Sequence, residues 1–172
     1  MEDKRITKTK RALKSALLEL LTTQAFDVIS ITELCKIANV SRITFYTHYK
    51  DKFALLDDIF NDMLIIGKEG YHRRQEENNP ENNLTQGYLN VLDSILSLYY
   101  ERYDFFQHVV PETNPYLAFR FYRILLDTVE SHTDKLKASY SLKYSARQIA
   151  GFICFCLLYT SPSPRDVEEY RM

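Results

Sequence analysis

The chain has 172 residues, of which 45% are hydrophobic and 26% charged, a balance that suits a packed core and excludes a disordered segment. Cys35, Cys154 and Cys156 are an odd number with no framework spacing, and the charged start MEDKRITKTK has no secretory pattern, so a reducing, cytoplasmic setting is expected. The net charge of -1 is unevenly spread: residues 1–52 hold ten Lys/Arg against six Asp/Glu, and the rest is acidic. A basic head on an acidic body suits contact with phosphates.

In chain order, TKTKRALKSALLELLTTQ (7–24) places Ala12, Leu13, Ala16, Leu17, Leu20 and Leu21 at helical spacing, with Lys8, Lys10 and Lys14 on a solvated face. Phe26 and Ile29 of the link AFDVIS are expected to plug the core beneath this helix. Ser30-Ile31-Thr32-Glu33 has the form of a capping box and predicts a helix over 31–38 with Leu34, Ile37 and Ala38 inward. Asn39-Val40 reads as a tight turn, and Ser41 as the cap of a second short helix, RITFYTHY. Asp51 caps a long helix with the stripe Phe53, Leu56, Ile59, Phe60 and Met63, which Gly67 and Gly70 end or bend. The polar run EENNPENN (76–83) reads as a linker. Helices are then expected over Leu84–Arg102, Pro115–Lys137 and Ser145–Tyr159. The apolar run Ile149–Tyr159 is about half the ~20 residues of a membrane span and reads as a buried helix.

Two helices of about eight residues joined by a three- to four-residue turn form a helix-turn-helix, in which the second helix enters the major groove and the first braces it. The probe helix here is Arg42–Tyr49. With Phe45 inward, Arg42, Thr44, Tyr46, Thr47 and His48 are left on exposed surfaces. Arg can grip guanine with two parallel hydrogen bonds, and Thr can meet an edge atom or a thymine methyl. Tyr, His and Lys more often hold phosphate, which sets register without reading sequence.

The stretch ITELCKIANVSRITFYTHYKDKFALL, within Lys10–Met63, resembles the DNA-binding domain of the TetR/AcrR family of transcriptional regulators, about residues 8–65 here. The shared features are a helix, an A-x-V-S turn, an aromatic probe helix and a K-x-x-L-L start to the next helix. Phe45 stands where Leu is commoner and Tyr49 where Phe is commoner; both keep the core apolar. The resemblance implies that Thr32 and Tyr46 contact phosphate, Arg42 and Thr44 lie near base edges, His48 lies on the backbone, and Lys52 binds phosphate at a helix N-terminus. It implies an all-α protein: an N-terminal three-helix head (1–50), a connecting helix (51–77) and a C-terminal helical bundle (78–160) for effector binding and homodimerisation. The implied function is a repressor on double-stranded operator DNA, nucleoid-associated when bound and released by a small-molecule effector.

Within that bundle, the aromatic zone Tyr99, Tyr100, Tyr103, Phe105, Phe106, Phe119, Phe121 and Tyr122 offers pocket residues, foremost Tyr99, Tyr103, Phe106, Phe119 and Tyr122. A normal aromatic core is the competing reading. His72, His108 and His132 are far apart, and neither HExxH, CxxC, a Gly-rich phosphate loop nor a nucleophile elbow occurs, so no metal, cofactor or catalysis is expected. Residues 161–172 read as an irregular tail with the look of a truncated end, because Pro162 and Pro164 break the helix that should follow. That feature motivates a second reading: a helical interaction protein that has lost operator binding through an incomplete dimerisation domain.

Overall fold

A computed structural model describes residues 4–137 and 139–159, so the tail at 161–172 lies outside the described residues. They form eight helices and no strand: α1 (Lys4–Leu21), α2 (Ile31–Ala38), α3 (Arg42–His48), α4 (Lys52–Asn78), α5 (Leu84–Glu101), α6 (Tyr103–Phe106), α7 (Pro115–Lys137) and α8 (Ala146–Tyr159), with a 3-10 turn at Phe26–Val28. The protein is all-α, as its sequence predicts. None of the described helices is long and apolar enough to cross a membrane.

The head is α1 to α3 with the start of α4. Leu13, Ala16, Leu17, Leu20 and Leu21 bury one stripe of α1 against Phe26, Ile29, Leu34, Cys35 and Phe45. The capping box forms: the Ser30 hydroxyl accepts from the Glu33 amide, and the Glu33 carboxylate accepts from the Ser30 amide. Asn39 closes α2 in the left-handed region at φ 53°, where Asn is tolerated. Ser41 accepts from the Thr44 amide and Asp51 from the Ala54 amide, so both following helices start where side-chain caps place them. One expectation fails here. Ile37 is 38% exposed and Cys35 takes the inward position, because the buried stripe of α2 runs through Leu34 and Cys35.

Two expectations about α4 are also corrected. The helix runs unbroken through Gly67 and Gly70. Those glycines face α5: a Cβ at Gly67 would lie 3.6 Å from Leu98, and one at Gly70 3.9 Å from the Ser94 hydroxyl. Both distances are ordinary van der Waals contacts, and the tightest neighbour of a Cβ at Gly70 would be the mobile end of Arg74 at 3.3 Å on the same helix, so packing against α5 does not require glycine at either position. The polar run after it is no loose linker. Asn79 is buried; its Nδ2 donates to Gln75 Oε1 and the Asn83 carbonyl, and its Oδ1 accepts from the Asn83 amide. Asn83 then caps α5 at the Gln86 amide. Asn90, also buried, donates to Gln75 Oε1 at 2.6 Å and Asn78 Oδ1 at 2.8 Å. Asn-rich composition here builds a hydrogen-bonded corner.

In the body, α4 packs antiparallel to α5, and α7 runs alongside α4 in the same direction. Asp57–Arg120 pairs their early turns, and the Tyr71 and His132 rings lie 5.5 Å apart near their late turns. The α8 helix lies on α7, with Ala146, Ala150 and Cys154 buried. Burial pushes the Cys154 thiol up to about 12, so it is neutral apolar filler.

Candidate nucleic-acid interface

The α3 helix has seven residues, so each side chain's direction follows from a step of about 100° per residue. Phe45, fully buried, marks the inward direction. Ile43 and Thr47 then lie about 160° away on the outer ridge, Tyr46 and Thr44 about 100° away on its flanks, and Arg42 and His48 about 60° away near the base. Exposure agrees. Ile43 is 82% exposed and Tyr46 49%; Arg42 and Thr47 are exposed, and Thr44 and His48 half-buried. Tyr46 is propped edge-on against Phe45 at 5.5 Å. Thr32 is exposed near the start of α2, with Lys36 also exposed.

Several of these side chains are already engaged within the chain. Thr44 Oγ1 lies 2.8 Å from Ser41 Oγ, and Thr47 Oγ1 donates to the Ile43 carbonyl at 3.0 Å. Lys52 is more heavily committed. Its ammonium donates to the carbonyls of Phe26 (2.9 Å), Asp27 (2.7 Å) and Ile29 (2.9 Å), and sits 5.0 Å from the Phe26 ring centroid. Burial pulls its pKa below the ordinary lysine value. All three N–H donors are used, so in this structure Lys52 pins the 26–29 turn to α4 and presents no spare donor to a phosphate. Lys14 likewise leaves the expected solvated face to pair with Asp58 (3.1 Å) and Asp62 on α4. Tyr49 is buried as expected, and its hydroxyl donates to Asp58 Oδ2 at 2.6 Å. The probe helix is thus held at its C-terminal end by a clamp from α4.

The head is tied to the body at one corner. The Phe26 amide donates to Asn114 Oδ1 at 2.7 Å, while Asn114 Nδ2 donates to the His108 carbonyl at 3.0 Å. Phe26, Phe53 and Tyr116 stack together beside it.

Asn114 and Tyr116 lead into a wall of the body's main cavity, a space of about 450 Å³ among α4, α5, α6 and α7. Its head-proximal end is apolar, with Phe60, Met63, Phe106, Phe121 and Leu125. Its far end carries Lys68, Tyr71, Asp127, Ser131 and His132. His132 Nδ1 donates to the Thr128 carbonyl at 2.9 Å, which leaves Nε2 as the acceptor of the neutral ring. Of the five foremost aromatic candidates, only Phe106 lines this space. Tyr99 is buried in a stack on Phe106, with Tyr103 packed against the same cluster. Phe119 is 58% exposed, and the Tyr122 hydroxyl lies against α8, 3.7 Å from where a Gly151 Cβ would be. The stretch is aromatic on every side of α7, so composition alone could not say which rings face inward. The stripe Phe60, Met63, Gly67 and Tyr71 on α4 was the readable signal.

No protein-family model matches the chain. A 58-residue stretch is 40% identical to the uncharacterized HTH-type transcriptional regulator YxbF of Bacillus subtilis (strain 168); the match covers 34% of this chain and 14% of that protein. Among solved structures, the dihydroxyacetone kinase operon activator DhaS superposes with a TM-score of 0.53 at 22% identity, over 88% of this chain and 83% of that one. The second likeness establishes a shared fold.

Proposed function

We propose that this chain is a DNA-binding transcriptional regulator of the TetR/AcrR type, working by binding rather than catalysis. The observation that carries the reading is the outward face of α3. A short helix, capped by Ser41, braced by α2 and clamped from α4, turns Arg42, Ile43, Tyr46 and Thr47 to the outside of a basic head. The likeness of a 58-residue stretch to a protein named as an HTH-type regulator supports it.

On this reading the protein is a repressor released by a small molecule. A cavity of about 450 Å³ falls within the usual range for ligand sites. The α7 helix, which lines the cavity from Phe121 onward, begins one residue after Asn114, the partner of the Phe26 amide, so a ligand that spreads α4 from α7 would shift the population of head orientations. The homodimer expected of such a regulator would seat a second copy on α8, where Phe152 is 72% and Phe155 56% exposed.

Bound duplexes selected from a random-sequence library test the reading. Arg42→Ala and Tyr46→Ala should each weaken binding of the selected duplex at least about tenfold, as loss of one good contact does, with no change in urea midpoint for Arg42→Ala. Affinity should fall steeply as salt rises. Undiminished affinity in both variants overturns the assignment of α3. Lys52 is unsuited to this test, since its removal unties three carbonyls.

A further inference from the structure

Resting on the reading that α3 enters a DNA groove, we propose that its outer ridge, Ile43 with Thr47, recognises thymine 5-methyl groups by apolar contact. The chain's preferred site then carries T·A pairs where the ridge meets the major groove.

Three observations converge. Ile43 is the most exposed large hydrophobic side chain among the described residues, at 82%, on a helix whose inward residue Phe45 is fully covered. Single exposed apolar residues are ordinary on protein surfaces, but Ile43 lies on the one line of α3 that points straight away from the core. The hydroxyls beside it are turned inward: Thr47 Oγ1 donates back to the Ile43 carbonyl, and Thr44 Oγ1 pairs with Ser41 Oγ. With its proton committed along the helix, Thr47 offers its methyl group to the outside. The ridge of α3 opposite its buried side is therefore hydrocarbon, and in the major groove the hydrocarbon feature of a base edge is the thymine methyl. Charge points to nucleic acid as the occupant. Lys36, Arg42 and Lys50 are exposed on the same small head, which carries ten basic residues against six acidic ones over 1–52. Those cations suit phosphates on either side of a groove whose floor the ridge reads.

The test uses the whole chain and a duplex selected from a random library, in which each thymine is replaced in turn by deoxyuridine. That change removes one methyl and leaves every hydrogen-bonding group in place. At one or two positions per half-site, uracil should weaken binding about fourfold, the value of one buried methyl. In Ile43→Ala the thymine-to-uracil ratio at one of those positions should collapse towards one. Thr47→Ser, which keeps the hydroxyl and its back-bond, should do the same at a neighbouring position. Urea midpoints for both variants should match the parent, because neither side chain supports the core. Sequence-specific binding with no uracil effect at any position overturns the proposal while leaving the DNA-binding reading intact. So does a uracil effect that persists in both variants. Failure to retain any duplex at low salt removes the DNA-binding reading and this inference with it. Loss of self-association in Ile43→Ala, with unchanged DNA recognition, would assign the ridge to a protein contact and also overturn it.

Discussion

The head and the body solve the same packing problem differently. In the head, Leu13, Leu17, Leu34 and Phe45 are fully buried, and its core is closed by short capped helices that leave side chains little room. In the body, long helices of 27, 18 and 23 residues meet around a cavity of about 450 Å³. A close-packed unit transmits displacement as a rigid piece, whereas a loosely filled one can change shape at modest cost. The head is therefore suited to holding one surface in fixed geometry, and the body to changing shape.

Truncation in the head gives the largest effect. Phe45→Ala should cost about 3–5 kcal/mol, since the Phe45 ring is fully buried in the head's core. A fall in urea midpoint at constant slope is the readout. A loss below about 1 kcal/mol would show that the head's core is not closed. A matched pair of enlargements tests the contrast directly. Ala16→Leu overfills the head and should destabilise by about 1–3 kcal/mol. Val91→Leu adds hydrocarbon to the cavity wall and should be neutral or stabilise by about 0.5–1 kcal/mol. Equal penalties for the two would erase the distinction between head and body.

What could be read in advance divides along a related line. Ser30, Ser41 and Asp51 cap helices through amides three residues ahead, so the starts of α2, α3 and α4 were legible from neighbours alone. The stripe of α1 is legible for the same reason, because helical period is local. Partners far apart in the chain were not. Lys52 meets Ile29, 23 residues away, and Lys14 meets Asp62, 48 away, so the sequence reads the first as a phosphate ligand and the second as a solvated charge. Asn79 reads as part of a linker because an amide is equally at home in water or in a satisfied network. The outer ridge of α3 is half legible: Phe45 inward fixes Ile43 outward, but a single exposed apolar residue is ordinary on a protein surface and carries no mark of function in the sequence.

The smallest predicted effect separates the two regions by what holds them. Lys14 and Tyr49 converge on Asp58 to fix α1 and the end of α3 to α4. Burial pushes the Asp58 carboxyl up, but the Tyr49 hydroxyl and the Lys14 ammonium together outweigh it and hold its pKa below the usual aspartate value. A folded pKa below the unfolded one favours the carboxylate, so the contribution is complete above the unfolded value of about 3.9 and is lost as pH falls through the folded value. Asp58→Asn should then cost about 1 kcal/mol at pH 7 and progressively less below about pH 4. The body's corner is held by the amides of Gln75, Asn79 and Asn90, which do not titrate, so Asn90→Ala should carry the same penalty at both pH values. Urea midpoints of the parent and both variants at pH 7 and pH 3 distinguish the cases. A gap for Asp58→Asn that stays constant with pH would mean that its carboxylate charge does not hold the probe helix in place. The head would then depend on packing alone, as closed a unit electrostatically as it is sterically.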